Sequence, residues 1–147
     1  GGQRPNPARS EHLISVSALV GTVPPTQTYA HEAYKTVRPN DEHAFSVDLI
    51  DFQMQMMAIG IQMAGPQLTP ATFQKGMFSY PARLGPIGNW GFKTHDYTAA
   101  DDVREIFWDP KATSNYNGKQ GAYIDPNKGS RYLPGQLPVG DPPVPVR

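Results

Sequence analysis

The stretch FSVDLIDFQMQMMAIGIQMAG, Phe45 to Gly65, constrains this chain more than any other. It is apolar at most positions, but Asp48, Asp51, Gln53, Gln55 and Gln62 interrupt it. Those polar residues argue against a membrane span. The apolar ones argue against a helix lying on a surface with one broad solvated face. At about 100° per residue, Asp48, Asp51, Gln55 and Gln62 fall on one narrow stripe. Gln53, Gly60 and Ala64 fall roughly opposite, with Ile50, Met54, Met56, Met57 and Ile61 on the flanks. Only the stripe suits water, so the helix is expected to be covered around most of its girth, by a sheet on one face and further elements alongside. The Gly60 and Ala64 side has no bulk and lets another backbone come close. Ser46 or Asp48 is expected to cap the start, and Gly65 stands where a helix-ending glycine belongs.

The flanking elements read more plainly. His12 to Val23 is rich in Val, Ile and Leu and predicts a strand running into the stop at Pro24 and Pro25. Thr28 to Val37 spaces Tyr29, Ala30, Ala33, Tyr34 and Val37 for a short amphipathic helix. Leu68 to Phe78 predicts another, with Thr69 as N-cap and Pro70 at the first helical position. LGPIGNWGF (Leu84 to Phe92) reads as tight turns and a short strand, and VREIFWD (Val103 to Asp109) as the last strand. From Pro110 onward the chain reads as irregular, ending in an extended polyproline-type tail.

Composition excludes several classes of function. Charged residues are 18% of the 147, the formal net charge is zero and the basic residues are scattered, so no footprint for nucleic acid is present. Without cysteine there is neither a disulfide nor a thiolate metal site. His12, His31, His43 and His95 show no metal-ligand spacing and read as surface or capping residues. The methionines of the long helix read as packing gap-fillers rather than as soft-metal ligands. Asp48 and Asp51 read as acids favouring the helix N-terminus rather than as a catalytic pair. Asp101 and Asp102 read as capping or solvating a turn. No Ser/His/Asp set and no phosphate loop can be placed, so neither an enzyme nor a cofactor is expected. GGQRPNPARS has no apolar core of a signal peptide, and any export signal is expected upstream.

The order YAHEAYKTV, LIDFQMQMMAIGIQMAG, LTPATFQKGMF, GPIGNWGF and REIFWD resembles the C-terminal segment of type 1 periplasmic, or extracellular, solute-binding proteins of the branched-chain amino-acid transport family. The likeness covers roughly residues 12 to 109 and rests on the "AG" that ends the long helix together with the glycine-punctuated segment downstream. It implies an α/β fold, the C-terminal portion of a two-lobed binding protein with a long irregular Pro/Gly-rich tail. Residues 1–44 would end the second lobe and cross the hinge, 45–109 would return into the first lobe, and 110–147 would wrap as an irregular tail. The family's N-terminal lobe is absent from this sequence, and the tail is longer than the family usually carries. The implied function is capture of a small amino-acid-like solute between two lobes, outside the cell or in the periplasm, for delivery to an ABC-type permease. The N-terminal part of the same protein, the solute and the permease are then the partners, with no nucleic acid and no transmembrane segment. Phe45, just before the long helix, takes the place of an aromatic pocket wall in that family; it equally suits a hydrophobic staple under the helix start. The alternative from another class is a structural or assembly protein that keeps this fold fragment and uses its Pro-rich tail for contacts.

Overall fold

A computed structural model describes residues 13–133, 135 and 136. His12, the segment before it and the expected polyproline-type tail lie outside the described residues. The sheet is built on its longest strand, β4 (Val103–Thr113), in which Phe107 is 1% and Trp108 8% exposed. Neighbouring residues point to opposite faces of a strand, so the sheet is covered on both sides at this point.

One edge of β4 carries β1 (Ile14–Ser17), antiparallel, with Ile14 opposite Phe107 and Ser17 opposite Arg104. The other edge carries β5 (Gln120–Ile124) and then β6 (Arg131–Tyr132), both antiparallel. Ile124 stands opposite Phe107 and Arg131 opposite Arg104, so residues 125–130 loop out of what is otherwise one continuous edge. Between the pairs Asp109–Ala122 and Thr113–Gln120, β4 advances four residues while β5 advances two. Pro110 lies in that irregularity, where it withholds no ladder hydrogen bond.

The segment from Pro110 was expected to be irregular, but its described residues include strands. β4 continues to Thr113, and β5 and β6 follow. These strands are short, and they exist because β4 offers an edge; their own sequence carries no alternating pattern. The strand expected over His12 to Val23 is shorter in the structure, with only Ile14–Ser17 paired.

The helices are α1 (Ala30–Val37), α2 (Phe45–Ala64) and α3 (Pro70–Ser79). The start of α3 is the one expected: Thr69 and Thr72 form a reciprocal capping box and Pro70 opens the helix. Gly65 closes α2 with a φ of +73°, a conformation glycine adopts without steric cost. The start of α2 departs from expectation, because Ala44 is the N-cap residue and makes no side-chain cap hydrogen bond.

The faces of α2 also differ from the expected ones. Asp48 is buried rather than turned to water, because His43 takes one of its oxygens. Phe52 is buried, as is Gly60 under α3. Ile50, Met54, Met57 and Ile61 instead form an exposed stripe, 44–62% accessible. Met56 does pack against the core, whereas Met54, Met57 and Met63 lie open, so the gap-filling role holds for one of the four methionines of α2.

The core is centred on Trp90, in the hairpin β2 (Arg83–Gly85) and β3 (Gly88–Trp90). Its indole is 1% exposed, edge-on to Phe52 at 5.3 Å and stacked on Tyr80 at 5.4 Å. Met77 completes the buried cluster. Asp102 was expected at a solvated turn, but it is buried and accepts from Arg131 through both oxygens, at 2.8 and 2.9 Å. Asn89 adds a backbone and a side-chain donor, and Arg131 reaches on to the Ala18 carbonyl at 2.7 Å. One ion pair thus ties together β6, the hairpin and the chain leaving β1. Asp101, its neighbour, pairs with exposed Lys93 at 3.0 Å.

Two predictions follow from this packing. An added Cβ at Gly76 would lie 2.8 Å from the Met63 backbone, whereas at Gly60 the obstacle is the Phe73 ring, which can turn. Urea denaturation is expected to show Gly76→Ala destabilising by about 1–3 kcal/mol, and Gly60→Ala by clearly less, because a side chain can move aside where backbone cannot; the helix preference for alanine favours both variants alike. Equal effects would contradict the close backbone approach. For the ion pair, the Arg131 guanidinium first, then Asn89, holds the Asp102 carboxyl below its ordinary value of 3.8 against the opposing effect of burial. The stability it contributes is therefore complete above about pH 4 and is lost as the pH falls through the lowered value. Arg131→Gln is expected to cost about 3–5 kcal/mol near neutrality, with the gap to wild type narrowing below pH 4 in denaturant titrations.

Candidate functional site

A cleft of about 1040 Å³ opens between one face of the sheet and the start of α2. The sheet wall is formed by Arg104, Ile106 and Trp108 of β4 with Tyr123 of β5, which stands opposite Trp108. The opposite wall is Phe45 at the head of α2 and Tyr116 in the β4–β5 connection. Their rings meet edge to face at 6.0 Å. This wall is aromatic; the floor is mixed, with hydroxyl and amide groups from Ser17, Thr22, Asn115 and Asn117. Such a lining suits a small ligand with an apolar body and a few hydrogen-bonding groups.

The charged group on the sheet side is Arg104. Its Nε donates to the Leu19 carbonyl at 2.7 Å, and its Nη1 pairs with Asp125. Burial, and after it the charge of Arg131, lowers its pKa from the ordinary 12.5, but a guanidinium stays protonated in proteins. With both partners inside the chain, Arg104 is held in place, and its charge is matched by Asp125 in the same cleft.

Behind the aromatic wall stands a polar chain. The Tyr116 hydroxyl donates to the His43 carbonyl at 2.6 Å. The His43 ring lies 3.1 Å from Asp48 Oδ1 through Nε2 and 3.3 Å from His31 Nδ1 through Nδ1. The Tyr34 ring packs on His43 at 5.3 Å. Asp48 Oδ2 is buried and has no hydrogen-bond partner among the described residues. Burial first, then the nearby negative charges of Asp48 and Glu42, pushes the Tyr116 hydroxyl up to about 12.

The structure places Phe45 at the cleft as the first helical residue of α2, beside Tyr116. It follows the N-cap, whereas a staple residue precedes it. The sequence reading did not bring His31, His43, Asp48 and Tyr116 together. They come from α1, the α1–α2 connection, α2 and a loop 73 residues beyond His43. The five-residue step from His43 to Asp48 at a helix start was the only local signal. Among the described residues, no three His, Cys, Asp or Glu converge as a metal site, and no helix is long and apolar enough to cross a membrane.

A second cavity, about 490 Å³, is an apolar groove between α3 and Phe92, with Phe73, Met77, Phe78 and Tyr97 in its walls. No family model, no curated protein and no solved structure matches the chain.

The raised Tyr116 hydroxyl is directly measurable. The stability it contributes is complete below about pH 10 and is lost as the pH rises towards 12. Spectrophotometric titration is expected to show one of the seven tyrosines ionising late, and Tyr116→Phe to remove that step. Losing the hydrogen bond to His43 is expected to cost about 1 kcal/mol. A late step that persists in the variant would assign it to another tyrosine.

Proposed function

We propose that this chain is part of an extracellular solute-binding protein that captures a small amino-acid-like solute between two lobes for an ABC-type importer. In this reading it is the C-terminal portion of a type 1 periplasmic-binding-protein fold. Residues 1–44 end the second lobe and cross the hinge, and α2 returns the chain to the first. The single observation that carries the proposal is the uncovered stripe of Ile50, Met54, Met57 and Ile61 on α2. A helix with one apolar side packed on α3 and Trp90 and another apolar side bare calls for a further layer of polypeptide. The missing first lobe is the natural source of that layer. The cleft beside Phe45 supports the same reading, because it is wide, partly aromatic and open, as half of a two-sided site would be. Closure would then come from solute contacts made on both walls, which favour the closed state by their differential affinity.

The test uses the protein joined to its upstream part. An amino-acid-like solute is expected to raise the melting temperature, by about 2.7 kcal/mol of added stability at a hundred times the dissociation constant. Residues 1–147 alone are expected to bind a hydrophobic dye and to melt broadly. A sharp two-state melt of the isolated chain, together with no shift across amino acids, amides and short carboxylates, would favour a structural or assembly role instead.

A further inference from the structure

We infer that His31 and His43 form a one-proton clasp that fastens α1 to the cleft wall and opens when both rings are charged. The ring centroids are 5.3 Å apart with planes 16° apart, and the Nδ1 atoms only 3.3 Å apart. The two nitrogens therefore face each other across the gap. Such a contact holds one hydrogen: with none, two lone pairs oppose each other, and with two, N–H opposes N–H.

The outer side of His43 selects which ring accepts. Asp48 lies at Nε2 and is buried, so an ionised carboxylate takes the Nε2 hydrogen and leaves His43 Nδ1 as the acceptor. His31 Nδ1 then donates. One proton added to the pair leaves this bond intact, since one hydrogen still lies between the two Nδ1 atoms. A second added proton, taken from solvent at His43 Nδ1, sets two donors and two positive charges against each other.

The remaining groups around the pair offset one positive charge, through Asp48, but not a second, and none of them removes the N–H to N–H opposition between the rings. From α1 the Tyr34 ring packs on His43, and from α2 Asp48 offers the one nearby buried carboxylate. From the β4–β5 connection Tyr116 contacts the His43 carbonyl rather than its ring. Glu42 is exposed and faces Lys119 at 3.8 Å. Because the open form takes up more protons than the clasped one, closure strengthens as the pH rises and weakens as it falls. Opening frees His43, whose carbonyl holds Tyr116 and through it the ring of Phe45.

The experiment needs no solute, so it stands or falls apart from the transport reading. Hydrogen exchange on the full chain is followed from about pH 8 to about pH 5, the range in which histidine charge ordinarily changes. After correction for intrinsic rates, the α1 amides and the Tyr116 amide are expected to lose about tenfold protection in wild type. In His31→Gln, whose amide still donates but does not titrate, the loss is expected to be less than about twofold. Equal losses in both proteins overturn the clasp. Ring nitrogen NMR of the wild type tests it independently: at high pH His43 should carry its hydrogen on Nε2, and finding it on Nδ1 overturns the proposal. A transition abolished by a chelator would assign the contact to a metal ion and also overturn it.

Discussion

The fold depends on the burial of Trp90. Its indole is enclosed by Phe52 of α2 and by Tyr80, which follows α3, and the Arg83 guanidinium lies 5.9 Å from its ring. The backbone of Trp90 also bridges to Ala100, just ahead of β4. One side chain therefore joins both major helices to the strand system. Full burial of a side chain of this class contributes about 1.5–3 kcal/mol, and the ring geometries add a smaller amount. Without it, α2, α3 and the β2–β3 hairpin would lose the residue at the centre of their shared apolar cluster.

The opposite side of the sheet is held by charge. Arg104 and Arg131 face each other across β4 and β6, where like charges would repel. Each is matched by its own carboxylate, Asp125 and Asp102 respectively. Both arginines also donate to backbone carbonyls of the segment leaving β1, at Leu19 and Ala18. That segment has no ladder of its own, so these donors satisfy backbone acceptors that would otherwise be stranded. The arrangement fixes the cleft rim from the sheet side. The other rim hangs on the Tyr116–His43–Asp48 chain of polar contacts.

The stripe of Ile50, Met54, Met57 and Ile61 repeats at three- and four-residue steps along α2, the spacing of a face built to be packed. The same helix therefore carries two apolar sides, one taken by α3 and Trp90 and one left open among the described residues.

The local signals were legible in the residues. Thr69 and Pro70 fixed the start of α3, Gly65 the end of α2, and the run of Val, Ile, Phe and Trp the position of β4, because capping, φ preference and apolar patterning act within a few residues. The small side of α2 does receive α3, but the expected close backbone approach is made by Gly76 at Met63 and Ala64, while Gly60 meets the side chains of Phe73 and Met77. Tertiary structure alone decided the rest. β5 and β6 became strands because an edge was available to them, and Asp48 turned inward because His43, five residues earlier, was positioned to pair with it. The arginine–carboxylate pairs and the His31–His43 contact unite groups far apart in the chain, and sequence order carries no record of which distant charges meet. Periodicity led to the expectation that α2 is covered around most of its girth, but among the described residues only the side claimed by α3 and Trp90 is packed, and Ile50, Met54, Met57 and Ile61 stay open.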